Sequence, residues 1–326
     1  MRKLASIQRI RSLERIEGAD VIEKATVLGW QLVVKKEEFK VGELCVYIEI
    51  DSVLPETAMF EFLRSKNFRI KTMKLRGQVS QGICFPLSIL PAGTAIEEGM
   101  EVTGLLGIKK FEPLIPSSLS GLMKGNFPSF IPRTDETRVQ LLEELLLEHA
   151  GRPCYITEKL DGTSATYFVK DGEFGVCSRN MELHREDRNI YWQMADTLDL
   201  ERKLKRLGDN IAIQGELVGE QIQGNKLKLQ GQQLFVFSVF LIDEYRYASL
   251  SRMKELAAQM DVQLAPVLDE DYALDAGIRN ILEMAERNSV LCPEAKAEGI
   301  VIRVKDAKEH ISFKVISNTF LLQYDE

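Results

Sequence analysis

Histidine is nearly absent, with only His149, His184 and His310 in 326 residues. A histidine triad or a histidine metal cage is poorly supplied, so chemistry falls to Lys, Arg, Asp and Glu. Cysteine is scarce, odd in number and scattered, at Cys45, Cys84, Cys154, Cys177 and Cys292. No two are spaced CxxC, which argues for a reducing compartment and against a zinc site. No apolar run approaches the roughly 18 residues of a membrane span. Met1-Arg2-Lys3 leads straight into an alternating pattern, without the apolar core of a signal peptide. The expected location is cytoplasmic, with no membrane partner. An excess of positive charge is also lacking, since the net charge is −7. On its face this disfavours a polyanionic partner, yet local basic stretches can still supply phosphate contacts.

What is present is ordinary for a globular chain: 45% hydrophobic and 28% charged residues. The length suits two domains, each with its own core. Residues 1–105 read as mostly β. Leu4–Ile10, Gln31–Val34 and Cys45–Ile50 are apolar or β-branched runs, punctuated by Gly18, Gly29, Gly42 and Pro55. A short helix is expected near 57–66. Phe68–Arg76 alternates apolar and basic side chains as a strand, and Gln81–Pro86 closes the set. Short strands at this density suggest a small closed barrel, an OB-fold. Residues 106–133 read as a linker, with Pro113, Pro116, Pro128 and Pro132 among serines and glycines. Thr134 or Asp135 then caps an expected helix through about His149.

From residue 134 to 326 the pattern is α+β. Strands are expected near 154–158, 165–170, 173–178, 211–217, 234–241, 299–304 and 310–316. Helices are expected near 186–206, 249–260 and 272–287.

The chemistry concentrates in Glu158-Lys159-Leu160-Asp161-Gly162, a lysine between a carboxylate and an Asp-Gly turn, between two strands. Alone, this reads better as a surface lysine after a strand. Five further islands follow in order: Ser178-Arg179-Asn180, Gln214-Gly215-Glu216-Leu217, Phe235-Val236-Phe237, Glu298-Gly299-Ile300-Val301-Ile302-Arg303 and Ser312-Phe313-Lys314-Val315. A lysine amine attacks phosphorus only when deprotonated, so it needs cations and partial burial to lower its pKa. Lys314 is one candidate for such a cation. Each island also has a plain reading. Glu216 can pair with Lys226 or Lys228, Phe235 and Phe237 can be core, Glu298 can be a solvated strand start, and Arg179 can be a structural ion pair. For Arg303 the structural ion pair is the better reading.

These islands resemble the nucleotidyltransferase motifs of covalent polynucleotide ligases and capping enzymes. The chain as a whole resembles ATP-dependent RNA ligases of the Naegleria and Deinococcus type, which carry an OB domain before the catalytic one. The likeness extends to Glu17-Gly18-Ala19-Asp20, Asp51-Ser52-Val53-Leu54-Pro55, Leu75-Arg76-Gly77-Gln78 and Thr134-Asp135-Glu136-Thr137-Arg138. It implies an N-terminal OB-fold barrel, then an ATP-grasp-like covalent nucleotidyltransferase domain of antiparallel sheets with flanking helices. It implies ATP as substrate and Mg²⁺ or Mn²⁺. Lys159 becomes the adenylated residue. Glu158, Arg179, Glu216, Phe237 and Lys314 become nucleotide-binding, and Asp161 and Glu298 hold the metal's water shell. The implied partner is a nicked duplex whose 3′-OH strand is RNA, sealed by a monomer. A GTP-using capping guanylyltransferase and a non-catalytic nucleic-acid-binding protein are the competing readings. One departure stands out. The family commonly carries K-x-K in its last motif, whereas Lys314 is flanked by Ser312 and Ile316. Lys305, Lys308 or a lysine of the first domain would have to replace the missing cation.

Overall fold

The computed structural model describes residues 3–112, 121–305 and 310–324. Pro113, Pro116, Ser117, Ser118 and Ser120 of the expected linker, and Lys308, lie outside the described residues. Among those described, one unit comprises residues up to 112, Gln140–Glu143 and 318–324, and the other 121–139 and Glu144–Ser317.

The first unit is built on one long strand, β1 (Ala5–Arg15). Its N-terminal half pairs with β4 (Leu44–Ile48) and its C-terminal half with β2 (Ile22–Val27), which pairs in turn with β3 (Trp30–Lys35). The register shifts between Ile10 and Ser12. Such a bulge bends a strand and lets one sheet curl on itself. A short pair follows, β5 (Ser52–Val53) with the later β9 (Lys109–Lys110). The hairpin β6 (Thr72–Leu75) and β7 (Gln78–Gln81) leads into β8 (Ile83–Phe85), which pairs with β4. The sheet order is β3-β2-β1-β4-β8. Val33 N–H donates to Ser80 Oγ at 3.0 Å, bringing β7 against β3, so the barrel is nearly closed. Ile7, Trp30, Leu32, Tyr47 and Ile48 fill it without exposure. Each such side chain contributes roughly 1.5–3 kcal/mol by burial. The OB-fold expectation holds.

Two local expectations in this unit need correction. The helix at 57–66 is a 3-10 helix over Ala58–Lys66. The basic strand over Phe68–Arg76 survives only as Thr72–Leu75, because Asn67, Phe68 and Arg76 take positive φ and turn the chain at both ends.

The second unit holds two sheets. The larger has the order β10-β15-β14-β13-β16-β17-β18, with β19 parallel beside β17. Its strands are β10 (Met123–Asn126), β13 (Thr163–Lys170), β14 (Glu173–Cys177), β15 (Met181–Leu183), β16 (Ile211–Gly219), β17 (Gln232–Leu241), β18 (Arg246–Tyr247) and β19 (Gln263–Leu264). The smaller has the order β11-β22-β21-β12-β20, from β11 (Thr137–Arg138), β12 (Pro153–Lys159), β20 (Val267–Ala273), β21 (Gly299–Val304) and β22 (Ser312–Ile316). Pairing is antiparallel except for β11–β22 and β17–β19.

Helices α2 (Ile190–Thr197), α3 (Leu200–Leu207) and α4 (Leu250–Met260) pack one face of the larger sheet. Trp192, Leu204 and Met253 meet Tyr167, Ile213 and Val236 there. Period two along β16 therefore turns Gln214 and Glu216 to the opposite face. The helix expected over 186–206 is two helices, broken at Asp199, whose φ is 52°. The one expected over 272–287 begins late, as α5 (Ile278–Met284), because Val267–Ala273 pairs with β12. The expected helix from 134 to 149 shrinks to α1 (Glu143–Glu148), since Thr137 and Arg138 are taken by β22. Helix α6 (Asn318–Tyr324) belongs to the first unit. No helix among the described residues is long and apolar enough to cross a membrane.

Candidate active site

Strand β12 delivers the lysine. Its last residues pair with the start of β21, Lys159 opposite Gly299. The chain then turns through Asp161 and Gly162 into β13. A Cβ on Gly162 would sit 2.2 Å from the Leu217 carbonyl oxygen and 3.0 Å from Glu216 Cγ. Only glycine lets this turn press against β16, which is how the lysine and Glu216 come to share one site.

Alternation along β12 separates the first two residues of the motif. Glu158 is buried, and its carboxylate accepts from Ser289 Oγ and from Val290 N–H at 2.7 Å. Lys159 faces the other way, and its Nζ donates to Glu298 Oε2 at 2.7 Å. Burial pulls the Lys159 ammonium down. Glu298, Glu216 and Asp161 outweigh that, and the net direction is up. The ligand-free site thus keeps this amine charged.

Three carboxylates crowd the amine. Burial pushes the Glu216 acid up to about 8, Lys159 opposes it, and Glu298 and Asp161 push the same way. Asp161 is also raised, by burial and by Glu298, against the pull of Lys226. Lys226 Nζ donates to Asp161 Oδ2 at 2.6 Å. The pairing of Lys226 with Glu216 considered from sequence is replaced by this one. Among the described residues no three of His, Cys, Asp and Glu stand close enough to ligate an ion directly. All-oxygen donors spread around one amine instead fit a hard divalent cation held through its waters.

Lys314 stands on β22, beside Arg138 on β11 and opposite Val301 on β21. Burial, then the charges of Lys159 and Arg138, lower it to about 7. Among the described residues no hydrogen bond or ion pair to its Nζ is seen. Arg179 donates to Asp135, and both side chains are about half exposed.

Phe237 lies where the register of β16 and β17 slips by one residue, between the pairs Gln214–Ser238 and Gly215–Val236. This bulge leaves Phe237 half-buried, against a cluster that includes Leu160, Val218 and Phe235. The Arg303 guanidinium lies 6.0 Å from its ring centroid and 5.9 Å from that of Tyr155. Arg303 is buried, donates to Thr157 Oγ1 at 3.1 Å and faces Glu136 at 3.6 Å. It is the structural ion pair expected of it.

The structure therefore brings Lys159, Asp161, Glu216, Glu298, Lys314 and Arg179 into one electrostatic neighbourhood. Glu158 and Phe237 sit on its flanks. Sequence reasoning missed the part played by the segment before β12. Thr134 Oγ1 meets Ser164 Oγ at 2.8 Å, Asp135 holds Arg179, Glu136 accepts from Ser312 Oγ at 2.6 Å, and Arg138 adjoins Lys314. The period-two spacing of Thr134, Glu136 and Arg138 was the available signal. The other missed part is that of Lys226, which the sequence offered as a partner of Glu216 and not of Asp161.

Known proteins match the chain over its length. The RNA ligase family model matches residues 152–316, and a model described as an OB-fold domain matches residues 4–87. The structure of Naegleria gruberi RNA ligase with PPi is similar at 39% identity and a TM-score of 0.93, covering 100% of this chain and 99% of that one. A lysine-to-alanine variant of that ligase with ATP and Mn is similar at 38% identity and 0.92, covering 98% of each chain. A glutamate-to-alanine variant with AMP and Mn gives 39% and 0.92, again covering 98% of each. No curated protein matches.

Proposed function

The chain belongs to the RNA ligase family, and on that premise we propose that it is an ATP-dependent RNA ligase that works through a lysyl-AMP intermediate at Lys159. The supporting observation is the Lys159–Glu298 pair at 2.7 Å, ringed by Glu216, Asp161 and Lys314. Its substrates are ATP and a nucleic acid, and it uses a divalent metal.

The tasks proposed for the residues combine their placement with the family resemblance. Lys159 Nζ must give up its proton and leave Glu298 before it attacks the α-phosphorus. A P–N bond then forms, the α–β P–O bond breaks, and pyrophosphate departs. Lys314 and Arg138 place positive charge where the phosphate's negative charge grows. Asp161 and Glu298 would hold the water shell of Mg²⁺ or Mn²⁺, which would supply positive charge on the triphosphate and beside the amine. Glu298 is the strongest influence keeping Lys159 protonated, so any loosening of that pair would favour the neutral amine. Arg179 and Glu216 serve the ribose and phosphate, and Phe237 offers a face to adenine. Glu158 acts at one remove, by fixing the 289–290 turn beside β12.

The AMP then passes to a 5′-phosphate, and a 3′-hydroxyl displaces it as the phosphodiester forms. The preferred substrate is a nicked duplex with RNA on the 3′-OH side, sealed by a monomer. Radiolabelled ATP leaves AMP on the protein, and Lys159→Ala leaves none. A labelled Lys159→Ala protein sinks the assignment of the nucleophile. Matched nicks that differ only in ribose or deoxyribose at the 3′-OH end test the substrate, and equal sealing of both removes the RNA preference.

A further inference from the structure

The loop from Gly219 to Gly231 is unusually constrained. Gln221, Gln223, Asn225 and Lys228 all take positive φ, between 46° and 65°. Left-handed conformations are uncommon for residues with side chains, and four in one short loop persist only where surrounding contacts enforce them. Those contacts are visible. Gly219, at φ 116°, packs so tightly that a Cβ would lie 2.1 Å from the Gly231 carbonyl oxygen. Glu220 N–H closes the loop onto that same carbonyl at 2.9 Å. The Asn225 side chain donates to the Leu229 carbonyl at 2.9 Å and accepts from Leu229 N–H at 3.0 Å. Ile222 and Leu227 are buried as anchors, and Lys226 directly precedes the second of them.

This construction delivers the Lys226 ammonium to Asp161 at 2.6 Å, with both side chains about four-fifths buried. Lys305, one of the expected replacements for the missing cation of the last motif, instead pairs with Asp271, whose side chain is 91% exposed. Lys226 is therefore the additional lysine that the fold carries into the group of Asp161, Glu216 and Glu298.

We propose that Lys226 is a positioning residue that serves as resident counter-charge to Asp161, holding the place of the divalent metal until the metal and nucleotide arrive. The proposal rests on the ligase reading of the site. Without Lys226, only the more distant charge of Lys159, itself paired with Glu298, would offset the repulsion between Asp161 and Glu298 in a site about four-fifths buried, at a cost in free energy. With Lys226 in place, Asp161 keeps its geometry in the ligand-free enzyme. An arriving ion must then share Asp161 with an ammonium or displace it. The ligand-free enzyme should accordingly bind metal weakly, so that metal enters mainly with the triphosphate.

The test is Mn²⁺ binding to nucleotide-free protein, read by the electron paramagnetic resonance signal of free Mn²⁺. Lys226→Met removes the charge and keeps the length, and should tighten Mn²⁺ binding by about tenfold, the scale of one lost unit charge near the ion. Lys226→Arg keeps the charge and should match the unaltered protein. The gain should vanish when Asp161→Asn is added, because the effect acts through that carboxylate. Circular dichroism confirms folding, and Lys226→Gln replaces the methionine variant should that one not fold. Unchanged or weaker Mn²⁺ binding in the charge-free variants overturns the proposal, as does a gain that persists with Asp161→Asn. AMP labelling of Lys159 is scored separately, so failure of the ligase reading and failure of this inference are distinguishable.

Discussion

Lys159 and Lys314 stand on strands that flank β21 in the same sheet, both half-buried, yet their surroundings drive them in opposite directions. Burial alone would lower both. Around Lys159 three carboxylates reverse that, and the amine stays charged. Around Lys314 the charges of Lys159, Arg138 and Arg179 reinforce burial and outweigh the opposing pull of Glu298, bringing it to about 7. The same residue type, on two strands of one sheet, is thus held charged in one place and weakened as a cation in the other. Nothing intrinsic to lysine separates them. The difference lies in which charges the neighbouring strands supply.

The sharpest way to break this comparison is one substitution made at both positions. Arginine keeps a positive charge but does not lose its proton under any working condition, so it cannot attack phosphorus. Lys159→Arg should abolish AMP labelling of the protein, whereas Lys314→Arg should keep labelling within about tenfold of the unaltered rate, because only charge is asked of that position. Comparable loss in both would mean that Lys314 also has a task only lysine can perform. Lys314→Met should then fall between these limits. Removing one preorganised donor to developing charge typically costs roughly 10²–10³ in rate. Single-turnover labelling with ATP measures it, and a loss below tenfold would remove Lys314 from the phosphate site.

The motifs on both strands were legible because each is short, local and placed at a strand end. Lys159 and Asp161 needed only a turn between two apolar runs, and Lys314 only the alternation of Ser312–Ile316. The barrel of the first unit was legible for the same reason, as dense apolar runs separated by turn residues. What stayed hidden depends on contacts distant in sequence. Arg138 reads as part of a capped helix until β22 is seen to claim Thr137 and Arg138. Lys226 lies in a loop whose left-handed residues follow no composition rule, and its partner is 65 residues away. Phe237 gains its position from a register slip that no periodicity announces. Glu158 is the reverse case, since period two alone places it on the opposite face of β12 from Lys159.

A smaller effect concerns pH. Because Lys314 is lowered to about 7, rising pH removes its charge in the ligand-free enzyme across the range where most enzymes are assayed. ATP binding should weaken between pH 7 and 9, by at most tenfold per unit, since a single proton is involved. Lys314→Arg should flatten that slope. Equal slopes in the two proteins would place the titrating group elsewhere.

The smallest expected effect lies in stability, at the carboxylate that no lysine claims. Lys159 is taken by Glu298 and Lys226 by Asp161, which leaves Glu216 facing both of their acids. Its acid is raised from 4.5 in the open chain to about 8 in the fold. Between those values the folded state binds more protons than the unfolded one, so stability falls as pH rises from about 5 to 8. Glutamine has no proton to lose and escapes that fall. Glu216→Gln and the unaltered protein should therefore melt together near pH 5, while near pH 8 the variant should melt higher by about 2–5 °C. The gain should shrink when ATP and metal are added, because a cation in the site relieves the repulsion that the variant removes. A melting difference that is the same at pH 5 and pH 8 would mean Glu216 is not under electrostatic stress. The contrast between Lys159 and Lys314 would then need another source than the crowd of carboxylates around the first.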